Sequence, residues 1–229
     1  MSRRSKVMGF ALGVSAVLLT AQASAQAVGF ELGGRIGYGI PLGRVTGDTN
    51  DELSSTISGT VPIQADVGVR VLPQLMLGAY FQYGFGFVGD TTSDVCDEIG
   101  ADCSTRDVRL GVQGQVHFSP GETTDPWLGL GVGYEWLTIA LEASTLSESA
   151  TVKATAHGLE FLQLQGGLDF QAGEHGGFGP FLSLSLAQFS RVSASCSGDC
   201  EGIDPDSESI EDQATHQWLM LGLRGTFVL

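Results

Sequence analysis

Alternation of apolar and polar positions dominates this chain, and it recurs eight times with a period of two, the period of a strand with two unlike faces. In the first stretch, Phe30 to Leu42, the even positions are Phe30, Leu32, Ile36, Tyr38, Ile40 and Leu42, with Gly34 among them. The odd positions are Glu31, Gly33, Arg35, Gly37, Gly39 and Pro41. Ile57 to Val71 repeats the pattern, with Ile57, Ile63, Val67 and Val69 against Gln64, Asp66 and Arg70. Further stretches set Leu77, Phe81 and Phe85 against Tyr80 and Gln82, and Leu110 and Val112 against Asp107, Arg109 and Gln113. Leu128, Leu130, Val132 and Trp136 then oppose Gly129, Gly131 and Glu135, and Leu164, Leu168 and Phe170 oppose Gln163, Gln165 and Asp169. The last two set Leu182 and Leu184 against Ser183 and Ser185, and Leu219, Leu221 and Leu223 against Met220 and Arg224. No helix-period patterning stands out. The connections alternate in length. Leu72 to Gln74, Ser119 to Pro126 and Ala172 to Gly177 are short and rich in turn residues. Arg44 to Ser55, Gly89 to Thr105, Ala143 to Thr155 and Ser190 to Gln213 are longer and polar. Four hairpins with short turns on one side and long loops on the other predict an eight-stranded antiparallel up-and-down barrel with both chain ends on the short-turn side.

Composition decides which face points outward. The non-apolar face is mainly Gly, Ser and Gln with a few charges, a poor solvated exterior but a good filling for a narrow bore. Aromatic residues of the apolar face collect near the strand ends. Phe30, Phe118, Phe170, Phe178 and Phe227 lie on the turn side, and Tyr38, Tyr83, Phe85, Tyr134 and Trp136 lie toward the loops. Two such girdles around an aliphatic band predict a transmembrane barrel. Arg106 and Glu160 are the charged residues of outward parity, and both fall at loop ends. Pro41, Pro62 and Pro180 interrupt strand patterns and are expected near strand ends, where a missing N–H is tolerated.

The N-terminus carries a different signal. Arg3, Arg4 and Lys6 precede the apolar run Val7 to Thr20, and Ala21, Ala23 and Ala25 follow it. This is the layout of a secretory signal peptide cleaved after Ala25, leaving residues 26–229 as the barrel. Cleavage takes the formal charge from −15 to −18 and leaves Lys153 as the one lysine. A chain so acidic is repelled by nucleic acid. The acids cluster from Asp90 to Asp107 and from Asp199 to Asp212; Cys96 and Cys103 fall within the first cluster, Cys200 within the second and Cys196 just before it. In an exported chain this predicts the disulfides Cys96–Cys103 and Cys196–Cys200. Neither spacing is that of a zinc knuckle.

Signal peptide, amphipathic strands, long loops and a final strand at the C-terminus together resemble the small outer-membrane β-barrel superfamily of the OmpA-domain, OmpX and OmpW kind, over essentially all of residues 26–229. The resemblance implies a bacterial outer-membrane location, contact with outer-membrane lipids and lipopolysaccharide, and insertion by the barrel assembly machinery. Those families usually end in an aromatic residue, whereas this chain ends Thr226-Phe227-Val228-Leu229.

Charges on the inward face need partners. Antiparallel neighbours keep a constant sum of residue numbers, and one register sets Glu31 opposite Arg70 and Arg35 opposite Asp66. A second sets Arg109 opposite Glu135 about a turn near Glu122. These ion pairs are expected to cross-link and plug the bore rather than to gate an ion path, because eight strands enclose room for little more than side chains. For His117, His157, His175 and His216, no motif supplies a nucleophile, and Gly129 to Gly133 precedes no helix that would hold a phosphate. The stretch Asp204 to Asp212 lacks the spacing of a calcium loop and reads as a solvated acidic loop. No catalytic residue, metal site or cofactor is assigned. The expected role is structural or surface-interacting, through acidic disulfide-pinned loops with a partner that the sequence does not identify. The alternatives are a porin-like narrow channel or transport path for small hydrophobic compounds, and a lipid-modifying enzyme.

Overall fold

The computed structural model describes residues 29–47, 52–144, 149–198 and 206–229. The signal peptide expected over residues 1–25 lies outside them. Among the described residues nine strands follow in chain order: β1 (Gly29–Gly43), β2 (Ile57–Leu72), β3 (Leu75–Val88), β4 (Asp102–His117), β5 (Thr124–Ser144), β6 (Ser149–Ala172), β7 (Gly176–Gly198), β8 (Asp206–Ser209) and β9 (Thr215–Val228). From β1 to β7 each pairs antiparallel with the next, β1 also pairs with β9, and β9 with β7. Eight strands thus close a ring, while β8 adds only to the outer part of β7. Closure leaves no unpaired edge in the wall, which is the condition for a sheet to sit in lipid.

The alternation determines which side chains meet the surroundings. Val112 and Leu130 are each 58% exposed on the outer wall, and Phe30, Phe118, Phe178 and Phe227 are exposed near its turn side. Inward positions Arg35, Gln64, Gln113, Gln115, Glu135, Gln163 and Gln165 are buried. A continuous apolar exterior over a polar interior is the reverse of a water-soluble barrel, and an apolar wall of this extent is stable only against hydrocarbon. No helix among the described residues is long and apolar enough to cross a membrane.

The structure departs from the sequence expectation in five places along the strands and loops. First, the loop expected over Ala143 to Thr155 is mostly strand, since β5 and β6 remain paired out to Ser144 and Ser149. With β7 continuing to Gly198, a sheet of β4 to β8 rises past the loop-side rim. Thr, Ala, Val and Ser supply enough strand propensity there, although the apolar alternation has stopped. Second, the Gly89–Thr105 connection holds a helix, α2 (Asp90–Ile99), beside a one-turn helix α1 (Leu53–Thr56) in the preceding loop. Asp90 sits in the first turn of α2, and Gly100 ends it in the left-handed conformation at φ 65°, which favours glycine. This helix is ten residues long and buries only Cys96, so its few apolar positions left no helical pattern long enough to stand out in the sequence.

Third, Glu160 is not outward but fully buried in the bore. β6 carries one extra residue at Phe161 relative to β7, and its pairing with β5 shifts at the same level; the bulge reverses parity on its loop side. The apolar doublet Phe161-Leu162 is the local mark of that reversal. Fourth, Pro62 is paired well inside β2, opposite Gly84, rather than at a strand end. Fifth, Ile57 is fully buried rather than set against lipid, because the β2–β3 register shifts between Ile57 and Gly59 and turns the start of β2 inward.

Candidate functional site

The interior is filled by three tiers of charged and amide side chains, and it is the one place where sequence reasoning put chemistry. At the turn side, Arg70 on β2 reaches Glu31 on β1 at 2.6 Å, and Arg224 on β9 reaches the other oxygen of Glu31 at 2.9 Å. Arg224 also lies 3.7 Å from Asp169 and stacks over the Trp127 ring at 4.1 Å. Beside them the His117 ring meets Asp125 at 2.7 Å, and Asp125 accepts the Ser119 N–H.

In the middle tier, Arg35 meets Asp66 at 2.7 Å. The same carboxylate accepts amide protons from Gln64 and Gln113, each at 2.7 Å. Gln165 donates to Gln113 and accepts from Arg35, and the guanidinium lies close to the rings of Trp127 and Phe181.

The first hairpin brings its pairs together through a different register from the one expected. Glu31 is opposite Gly68 and Arg35 is opposite Gln64, so each ion pair is a diagonal two residues along. Such diagonals lie about 7–8 Å apart, within the span of an arginine. Glycine makes room for it: Gly33 is opposite Asp66, and a Cβ there would press on the Asp66 carboxylate at 3.0 Å. Arg109 and Glu135 are directly opposite, in the register expected of them.

The loop-side tier centres on Arg109. Its guanidinium lies 2.9 Å from Asp107, 3.2 Å from Glu135 and 3.4 Å from Glu160, and it donates to the Ser185 hydroxyl at 2.9 Å. Glu135 also meets His216 at 2.9 Å and accepts from the Trp218 indole at 3.0 Å, while Tyr80 donates to Glu160. One arginine therefore serves three carboxylates, with neutral donors satisfying much of the remainder. Sequence reasoning paired Arg109 with Glu135 alone. Asp107, Tyr80 and Trp218 were all on inward parity and available to it, whereas Glu160 was hidden by the bulge.

Above this tier the bore is stoppered by apolar side chains. Leu53 of α1, Ile57, Leu137, Phe189, Trp218 and Met220 form one buried cluster, with Val45 and Ile210 packed against it. Phe189 stacks on His216 with ring centres 4.1 Å apart. Sequence reasoning did not assemble this stopper. Leu137, Trp218 and Met220 are apolar residues of inward parity, and the signal that could have found them is their position next to the loops, where a polar filling gives way. Leu53 and Val45 come from a loop, and Ile57 and Phe189 from irregular parts of their strands.

The described cysteines lie beyond the rim. Cys96 of α2 and Cys103 of β4 are joined by a disulfide, with Cα atoms 6.2 Å apart. Cys196 on β7 is also disulfide-bonded, and Cys200 lies outside the described residues. Around the first bond, Asp90, Asp94, Asp97, Glu98 and Asp102 are acidic residues of α2 and the start of β4. No group of residues suited to a metal ion occurs among the described residues.

A closed sheet with a lipid-facing wall and a charged, filled interior defines an integral membrane β-barrel. Residues 42–225 match the family model described as the autotransporter beta-domain, and the chain belongs to that family; it is a bacterial outer-membrane protein. Among solved structures, a major outer membrane protein from Thermus thermophilus is similar at 14% identity and a TM-score of 0.53, over 89% of this chain and all (100%) of that one. Neisserial surface protein A (NspA) is similar at 8% identity and a TM-score of 0.47, over 85% and 95%. The outer membrane protease OmpT of Escherichia coli is similar at 6% identity and a TM-score of 0.36, over 90% and 99%. No curated protein matches the chain in sequence. The likeness to the Thermus protein concerns the fold alone and leaves the role to be argued from the residues.

Proposed function

We propose that this chain is a closed barrel whose work is done on its outer surface rather than through its bore. In this reading the wall anchors it in lipid, the interior is a structural cross-link, and the β4–β8 sheet with its acidic, disulfide-pinned loops is presented to a surface partner. The observation that carries the reading is the filled bore: three tiers joined by Arg35, Arg109 and Arg224 lie beneath an apolar stopper of Leu53, Ile57 and Phe189. A water path would have to displace both kinds of filling at once. Residues 1–25 are proposed as a signal peptide removed on export, and the barrel assembly machinery as the route of insertion. Edman sequencing of protein isolated from outer membranes should begin at Gln26.

Single-channel recording in planar bilayers tests the main claim. The full barrel should give no steady conductance steps. Reproducible open levels would overturn the closed reading and favour a channel.

A further inference from the structure

The bases of this acidic chain are divided in an unexpected way. Eight lie beyond residue 25. Arg35, Arg70, Arg109 and Arg224 are in the bore and make all the arginine–carboxylate pairs found among the described residues. Arg44, Arg106, Lys153 and Arg191 make none, and all four stand on the loop side. Three of these four share one outer surface. Arg106 is opposite Thr138, which is opposite Thr155 and then Ser193; one row inward, Trp136 is opposite His157 and His157 is opposite Arg191; one row outward, Ala140 is opposite Lys153. Residues directly opposite in adjacent strands share a face, and this face continues the lipid-facing wall of Val108, Leu110 and Val112. Arg106 and Arg191 are exposed, and Tyr134 meets the His157 ring at 2.6 Å beneath them.

The height of this patch follows from strand geometry. From Phe118, the turn-side aromatic, to Val108 the chain advances ten residues. At about 3.4 Å per residue and a tilt of about 40°, that rise is about 25 Å, the height of the apolar band of such barrels. Arg106 is the next outward position, where hydrocarbon gives way to headgroups. Across the rows from Trp136 to Lys153 this face carries hydroxyls, rings and cations and no carboxylate; Asp102 opposite Glu142 comes only one row further out. Long loops face the exterior, so the adjoining leaflet is the outer one, whose lipid A headgroups carry phosphate.

We propose that the outer wall of β4–β7 at its loop-side rim is a binding site for the phosphorylated headgroup of lipid A. Arg106, Lys153 and Arg191 contact phosphate, the half-buried Thr155 and Ser193 lie between them, Thr138 is buried beneath with its hydroxyl bonded to that of Thr155 at 3.0 Å, and Tyr134 and Trp136 pack on the sugar and upper acyl region. Guanidinium groups left without a carboxylate in a chain of this charge are suited to phosphate oxygens. The site goes beyond the closed-barrel reading and stands whether or not the bore conducts.

The test uses the full barrel in nanodiscs and native mass spectrometry of bound lipid, comparing bisphosphorylated lipid A with lipid A stripped of its phosphates. The wild-type barrel should retain the bisphosphorylated form at least about tenfold better. R106Q/K153Q/R191Q should lose that preference, and R44Q, altered on the far side of the ring, should keep it. Should the triple variant fail to show folded, heat-modifiable migration, R106Q and R191Q measured singly should each lose about fivefold. No preference in the wild type, or an undiminished preference in the folded variants, would overturn the proposal.

Discussion

Replacing Arg109 with leucine removes the one cation that holds three carboxylates together in a sealed part of the bore. Its side chain is fully enclosed, as are those of Asp107 and Glu135. At N···O distances of 2.9, 3.2 and 3.4 Å, an effective dielectric of about 20 gives about 5 kcal/mol of attraction per contact. Most of that attraction is offset by the desolvation of the charges themselves. What remains on deletion is the penalty of leaving buried carboxylates without a cation, about 3–5 kcal/mol for breaking a buried pair. Three carboxylates left behind place Arg109→Leu at the upper end, about 5 kcal/mol. Arg70→Leu is the contrast. Its side chain is 18% exposed at the turn side, and Glu31 keeps Arg224 at 2.9 Å, so the loss should be about 1 kcal/mol or less. Equilibrium urea unfolding in phospholipid vesicles, followed by tryptophan fluorescence and by heat-modifiable migration, measures both. An Arg109→Leu barrel within about 1 kcal/mol of wild type, or equal losses for the two variants, would refute the claim that the loop-side tier is a sealed ionic cross-link.

Other outcomes follow from the same geometry. Glu160→Gln keeps an acceptor for Tyr80 and leaves Arg109 with Asp107 and Glu135, so unfolding should shift by less than about 1 kcal/mol, in contrast to the arginine deletion. A shift as large as that of Arg109→Leu would count against a tier with excess acid. Phe189→Ala empties the centre of the apolar stopper and should lower stability by about 3–5 kcal/mol in the same unfolding assay. Reducing the Cys96–Cys103 bond releases a short loop worth about 2.5 kcal/mol of closure entropy. That loss falls on α2 and its junction with β4, so protease sensitivity near Asp97 should rise while the barrel's urea midpoint stays put. A lowered midpoint would mean that the loop is coupled to the wall.

The wall was the most legible part of the sequence, because a two-residue period on a closed sheet leaves each side chain a choice between lipid and bore. Leu110, Leu130 and Leu223 declare their face by identity alone. The inward charges were legible as a set, and Arg109 with Glu135 even as a direct pair, because charge in a bore needs a partner. The register of β1 with β2 was not: an arginine reaches a diagonal partner as readily as an opposite one, so complementarity between Glu31 and Arg70 left two registers open. The bulge at Phe161 was hidden for a related reason. One extra residue in β6 looks like ordinary apolar sequence, yet it carries Glu160 from the lipid side into the Arg109 tier. Above the rim, alternation ends because both faces of the β4–β8 sheet have left the hydrocarbon, and α2, ten residues long with only Cys96 buried, is too short for a helical pattern to stand out.

Nitroxide scanning of β5 bears most directly on the orientation of the wall. Single cysteines at positions 128 to 132, spin-labelled in lipid vesicles, report collision with oxygen, which concentrates in hydrocarbon, and with a nickel chelate, which stays in water. Labels at Leu128, Leu130 and Val132 should favour oxygen, and those at Gly129 and Gly131 should be shielded from it. The opposite phase, or nickel access at Leu130, would contradict a barrel whose leucines face lipid and whose ions fill the bore.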